Sequence, residues 1–127
     1  MKRTKDGIEI QLRGLRIVVS YEFHDIDEGV SIRVSDHHDN CLLRFDCFDC
    51  RPVWIVSPHR EFLITDSVRS AVDWAIEQIE HSLVLYLSLA GYPTPHGLSE
   101  TYTRPAIEKI KAAVAEVSAE TELEATG

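Results

Sequence analysis

Ser70-Ala71-Val72-Asp73-Trp74-Ala75-Ile76-Glu77-Gln78-Ile79-Glu80-His81-Ser82-Leu83-Val84-Leu85-Tyr86-Leu87-Ser88-Leu89-Ala90-Gly91 is where the hydrophobic pattern of this chain changes period. Val72, Ala75, Ile76, Ile79, Leu83, Tyr86, Leu87 and Ala90 recur at steps of three and four, which places them on one face of a helix. Ser70 followed three residues later by Asp73 has the form of a capping box, with Asp in place of the usual Glu or Gln, and Gly91 supplies the stop. The spacing predicts a long helix over about 71–90. Its last turns, Leu83, Val84, Leu85, Tyr86, Leu87 and Leu89 with Ser88 between, are apolar nearly all the way round, so a single sheet cannot cover them.

Upstream of Ser70 the period is two. Ile8, Ile10 and Leu12 alternate with Glu9, Gln11 and Arg13, and beyond Gly14 the alternation resumes with Leu15, Ile17, Val19 and Tyr21. Gly14 is read as a bulge within one long strand, the alternative being a turn between two short ones. An acidic turn follows at Asp25, Asp27, Glu28 and Gly29, then a strand from Val30 to Val34, a turn at His37 to Asn40, and a mostly apolar strand from Cys41 to Phe48. Val53 to Val56 and Glu61 to Thr65 give two further strands, separated by a turn at Ser57 to Arg60. Lys2, Arg3 and Lys5 are read as a solvated terminus.

Downstream, Tyr92 to Gly97 is a loop rich in chain breakers. A shorter helix is predicted over about 105–119, starting at Pro105, with Ile107, Ile110, Val114 and Val117 as its apolar stripe. The acidic residues 120–127 are expected to fray. The expected architecture is therefore a single α+β domain over 1–127: an antiparallel meander of four to five strands over about 8–65, then a long and a shorter helix.

Composition narrows the function classes. With 13 basic against 21 acidic residues the net charge is −8, a field that repels phosphate backbones and disfavours nucleic acid as a partner. No stretch supplies the ~18 uncharged apolar residues of a membrane span, and the first residues lack the apolar core of a secretion signal, so a cytoplasmic protein without membrane contact is expected. Three cysteines cannot all pair within one chain, which fits free thiols in a reducing compartment.

The stretch His37 to Cys50 holds all three cysteines and two histidines, and it raises the question of chemistry. Cys47-Phe48-Asp49-Cys50 has the spacing of a zinc knuckle, with His37 and His38 as the companion ligands, or Cys41 or His59 in their place. Against zinc, a knuckle needs both sulfurs on a turn, whereas an extended strand turns Cys47 and Cys50 to opposite faces. A redox dithiol needs a helix N-terminus after the first cysteine, and here Arg51-Pro52 and more strand follow. The acids at 25–28 lack the spacing of a calcium loop, no nucleophile elbow surrounds the Cys, His and Asp residues, and no glycine-rich loop leads into a helix. Arg44 and Asp46 share a face of their strand and are expected to form an ion pair.

The run Leu42-Leu43-Arg44-Phe45-Asp46-Cys47-Phe48-Asp49, with Asp73-Trp74-Ala75-Ile76 and Ala90-Gly91-Tyr92 after it, resembles a family of small bacterial proteins of unknown function. In that family a Pro-His-x-His segment follows the phenylalanine-aspartate run, and a metal role would rest on its histidines. Here the corresponding residues are Pro52-Val53-Trp54-Ile55, so the resemblance carries over neither a metal site nor an activity.

Three functions compete on these grounds. The leading expectation is a non-enzymatic interaction module that forms a homodimer, or binds another protein, through Leu83, Val84, Leu85, Tyr86, Leu87 and Leu89. The second is a zinc-binding protein using His37, His38, Cys47 and Cys50. The third is a small-ligand-binding or hydrolase domain with a pocket between sheet and helix lined by Trp54, Trp74 and Tyr86.

Overall fold

The computed structural model describes residues 1–56, 60–64, 70–93, 98 and 100–126. An antiparallel sheet runs in plain sequence order through β1 (Lys2–Thr4), β2 (Gly7–Leu12), β3 (Leu15–His24), β4 (Asp27–Ser35), β5 (Cys41–Phe48), β6 (Val53–Val56) and β7 (Arg60–Leu63). Two helices follow, α1 (Ala71–Leu89) and α2 (Glu100–Thr126). The α+β meander expected from the alternation is the fold observed, with seven strands instead of four or five.

Two local features account for the extra strands. Arg13 and Gly14 both have positive φ, 48° and 82°, and Leu12 pairs directly with Leu15, so the glycine closes a two-residue hairpin rather than a bulge. Turns of this hand favour Asn-Gly or Asp-Gly, and an arginine in the first place hides the signal. The basic terminus, expected to be solvated, pairs instead with β2 as an edge strand, Lys2 opposite Glu9. A short, charged edge of this kind resists pairing with other chains.

The helices cover one face of the sheet. Ile8 and Ile10 from β2, Ile17 and Val19 from β3, Ile32 and Val34 from β4, and Leu43 and Phe45 from β5 form one core with Ile79, Leu83 and Leu87 of α1 and Ile107, Ile110 and Ala113 of α2. Each large aliphatic side chain so buried contributes about 1.5–3 kcal/mol. A bulge at Leu42, between the rungs Val34–Leu43 and Ser35–Cys41, turns one more leucine into this core.

α1 begins and ends where the sequence marks it. Ser70 accepts a hydrogen bond from the Asp73 amide at 3.2 Å. At the other end Gly91, at φ 74°, donates to the Ser88 carbonyl while Tyr92 donates to Leu87, the paired bonds of a Schellman stop. α2 starts at Glu100, earlier than Pro105 suggests, because the proline removes only the bond to the carbonyl at 101. It runs through the acidic residues expected to fray, as far as Thr126. Most of the Tyr92–Gly97 loop, residues 57–59 of the Ser57–Arg60 turn, His59 among them, and Thr65 lie outside the described residues.

Candidate functional site

The four residues considered for zinc are divided between the two ends of β5. His37 and His38 sit in the β4–β5 turn, with ring centroids 4.0 Å apart. That turn is organised by Asp36, whose Oδ1 accepts from the His38 and Asn40 amides at 2.8 and 3.0 Å while Oδ2 accepts from Asn40 Nδ2 at 3.1 Å. Cys47 and Cys50 lie at the far end of the strand: Cys47 points into the helix-covered core and Cys50 is exposed on the next turn. Eight strand residues separate the two ends, roughly 25 Å at the strand rise. Among the described residues no group of three or more His, Cys, Asp or Glu side chains stands close enough to hold a metal ion.

The surroundings of Cys47 and Cys50 raise the pKa of both thiols. Burial pushes Cys47 up to about 12, with the Asp46 charge adding to it. The carboxylate of Asp27 raises Cys50, since it lies beside the thiol and accepts from the Cys50 and Arg51 amides at 2.8 and 2.9 Å. An attacking thiol needs the opposite shift.

The sheet face turned away from the helices carries a network that sequence reading caught only in part. Arg44 donates to Asp46 at 2.7 Å, the ion pair expected from their spacing. Around it, Glu22 of β3 accepts from Ser20 at 3.0 Å, from Arg33 and from Arg44 at 3.3 Å, and lies 2.9 Å from His24 Nε2. Asp46 accepts from Ser31 at 3.0 Å. Arg33 and Arg44 stand directly opposite each other, and to reach Glu22 they pass over the rung formed by Ser20, Ser31 and Asp46. Ser31 is thereby fully buried. Burial alone would raise the Glu22 pKa; hydrogen bonds from His24, Arg33 and Ser20 and the charge of Arg33 outweigh it and hold the carboxyl down at about 2. The signal was available in the polar phase of β3 to β5, where Ser and charged residues alternate with the apolar set. Which charges meet depends on register, which one sequence does not supply.

Trp54, Trp74 and Tyr86 do come together. The Trp54 ring lies 5.1 Å from Tyr86, 6.0 Å from Trp74, 6.3 Å from Phe45 and 4.7 Å from Phe62, measured between centroids. At these separations the rings pack on one another and fill the space between sheet and helix. Tyr86 finishes the arrangement by donating to Gln78 at 2.6 Å.

The apolar end of α1 is shared between core and surface. Leu83, Tyr86 and Leu87 are buried, whereas Val84, Leu85 and Leu89 are 43%, 59% and 44% exposed. At 100° per residue, Leu85 and Leu89 fall on the side of α1 that carries Tyr86, and Val84 falls on the side of α2. There a furrow of about 300 Å³ separates the two helices, lined by Asp73, Ile76, Glu77, Glu80, His81 and Lys111. A second hollow, of about 210 Å³, lies beside the β1–β2 hairpin and is lined by Lys5, Ser20, Tyr21 and Thr121 among others. No helix is long and apolar enough to cross a membrane among the described residues.

No curated protein and no solved structure matches the chain. A family model does match, over residues 9–119, from β2 to the body of α2, and its description is a domain of unknown function. That span takes in all three runs on which the family resemblance was based. The chain belongs to this family, the domain of unknown function DUF7700.

Proposed function

We propose that this domain works through protein contacts rather than by chemistry on a substrate, and that its first partner is a second copy of itself. The observation that carries the proposal is the exposed pair Leu85 and Leu89, one helical turn apart at the end of α1. Beside them the buried Tyr86 packs on the half-buried Trp54, which stacks on Phe62, itself 45% exposed on β7, so apolar side chains link the exposed leucines to an exposed ring on the sheet. Contiguous apolar surface of this kind marks interaction sites, whereas single exposed leucines do not.

A second copy suits these side chains for an electrostatic reason. The chain carries a net charge of −8, so two copies repel each other on average. Uncharged side chains are surface that two copies can bury against each other without that repulsion. Sedimentation velocity over a micromolar concentration series tests the proposal. A monomer–dimer equilibrium is expected, and a monomer at every concentration contradicts it.

A further inference from the structure

The two edge strands of the sheet are unlike. β1 carries Lys2 and Arg3, and Arg3 is tied to Glu120 of α2 by an ion pair. β7, Arg60-Glu61-Phe62-Leu63, is exposed at every residue, and its one cation and one anion cancel. Which backbone groups β7 leaves unpaired follows from its ladder. The Ile64 amide donates to the Pro52 carbonyl at 2.9 Å, and Phe62 stands opposite Trp54. In an antiparallel pair, alternate residues turn both N–H and C=O to the same neighbour. Ile64, Phe62 and Arg60 therefore turn theirs to β6, while Glu61 and Leu63 turn theirs outward, where no described strand pairs with them. Such groups are satisfied by water or by another strand.

We infer that two copies of this chain join edge to edge at β7, the strands running antiparallel with the two-fold axis at Phe62. Residues opposite each other in an antiparallel pair share a face of the sheet, so the axis must set one residue of β7 opposite its own copy. At Arg60 or Glu61 that places like charge on like charge. At Leu63 it sets Arg60 and Glu61 opposite residues beyond the end of the strand. At Phe62 it brings ring beside ring and pairs Glu61 with Leu63 of the second copy, so that the outward N–H and C=O of both residues are exchanged on each side of the axis. β7 against β1 of another copy would be a head-to-tail contact that leaves free edges and does not close.

A second copy also fits better than a lone strand of another protein. α2 packs over β2 and β3 and α1 over β5, and Leu85 and Leu89 fall on the side of α1 where Tyr86 meets Trp54 of β6. A lone strand would leave these leucines in water, whereas the axis at Phe62 brings the second α1 towards the first across the joint. The edge pairing thus rests on the self-association proposed above and gives it a geometry.

Amide hydrogen exchange of the wild-type chain, followed by NMR below and above the dimer midpoint found by sedimentation, tests the joint. The Glu61 and Leu63 amides should exchange freely in the monomer and about tenfold more slowly where about nine-tenths of the chains are dimeric, with β1 unchanged. Glu61→Pro removes an outward N–H and no bond to β6, which is where an edge strand tolerates proline. It should raise the dimer midpoint about tenfold or more, the loss of one hydrogen bond on each side of the axis, while Glu61→Ala dimerises as wild type does. If the proline lowers the melting temperature, the wild-type exchange pattern decides alone. Exchange at Glu61 and Leu63 that does not change with concentration overturns the joint, as does protection that extends to β1, or undiminished dimerisation of folded Glu61→Pro. A dimer with these amides unprotected removes the edge joint and leaves the α1 contact standing. Protection that survives Leu85→Glu/Leu89→Glu does the reverse, and a monomer at every concentration removes both.

Discussion

The two faces of the sheet solve the same burial problem differently. The face under the helices is held by side chains such as Ile17, Ile32 and Phe45, all fully buried and without polar atoms to satisfy. The opposite face has no helix above it among the described residues, and its centre is closed by its own charges: Arg33 and Arg44 lie across Ser31 and are anchored on Glu22 and Asp46. One face is stabilised by removing apolar area from water. The other depends on ion pairing of the charges it desolvates, although the Arg33 Nε is buried there without a hydrogen-bond partner.

That contrast can be sharpened by substitution. Phe45→Ala, which empties the centre of the helix-covered face, should destabilise the domain by about 3–5 kcal/mol in urea unfolding. Glu22→Gln on the other face should cost about 1–3 kcal/mol, because it leaves two arginines side by side with one carboxylate fewer. A cost of Glu22→Gln equal to that of Phe45→Ala would mean that the open face carries as much of the stability as the core. The two faces also differ in pH response. Since the folded pKa of Glu22, about 2, lies below its ordinary 4.5, its contribution is complete above pH 4.5 and is lost as pH falls towards 2. Unfolding free energies measured across that window should fall more steeply for wild type than for Glu22→Gln, and parallel curves would contradict the network. The smallest effect is a difference in reactivity: an aromatic disulfide reagent should modify the exposed Cys50 in the native protein and Cys47, buried in the helix-covered core, only on unfolding.

Much of the helix-covered face was legible in the sequence, because burial imposes a period and a period can be read from one chain. The limits of α1 came from Ser70 and Gly91, whose roles are local, and the alternation of Ile8, Ile10 and Leu12 gave the inward set of β2. What stayed hidden was set by partners distant in the chain. Glu22 meets Arg44 across 22 residues through the register of two hairpins, and Lys2 became part of a strand because β2 offered it an edge. The same reason separates the zinc candidates. His37, His38, Cys47 and Cys50 are neighbours in sequence, but β5 is extended between them and carries the two pairs to opposite ends. The trio Trp54, Trp74 and Tyr86 was placed together correctly, while the packed state of its rings could be learned only from the geometry.

Leu85 and Leu89 form one exposed apolar region among several, and another serves as the control. Phe23 and Ile26 at the β3–β4 tip are 63% and 93% exposed, but Asp25, Asp27 and Glu28 surround them, whereas Leu85 and Leu89 border uncharged residues. The decisive measurement is sedimentation of Leu85→Glu/Leu89→Glu beside Phe23→Glu/Ile26→Glu, each checked for an unchanged melting temperature. The first variant should be monomeric where wild type is dimeric, and the second should dimerise as wild type does. Dimerisation retained by the first variant, or lost only in the second, would contradict the assignment of the end of α1 as the contact surface.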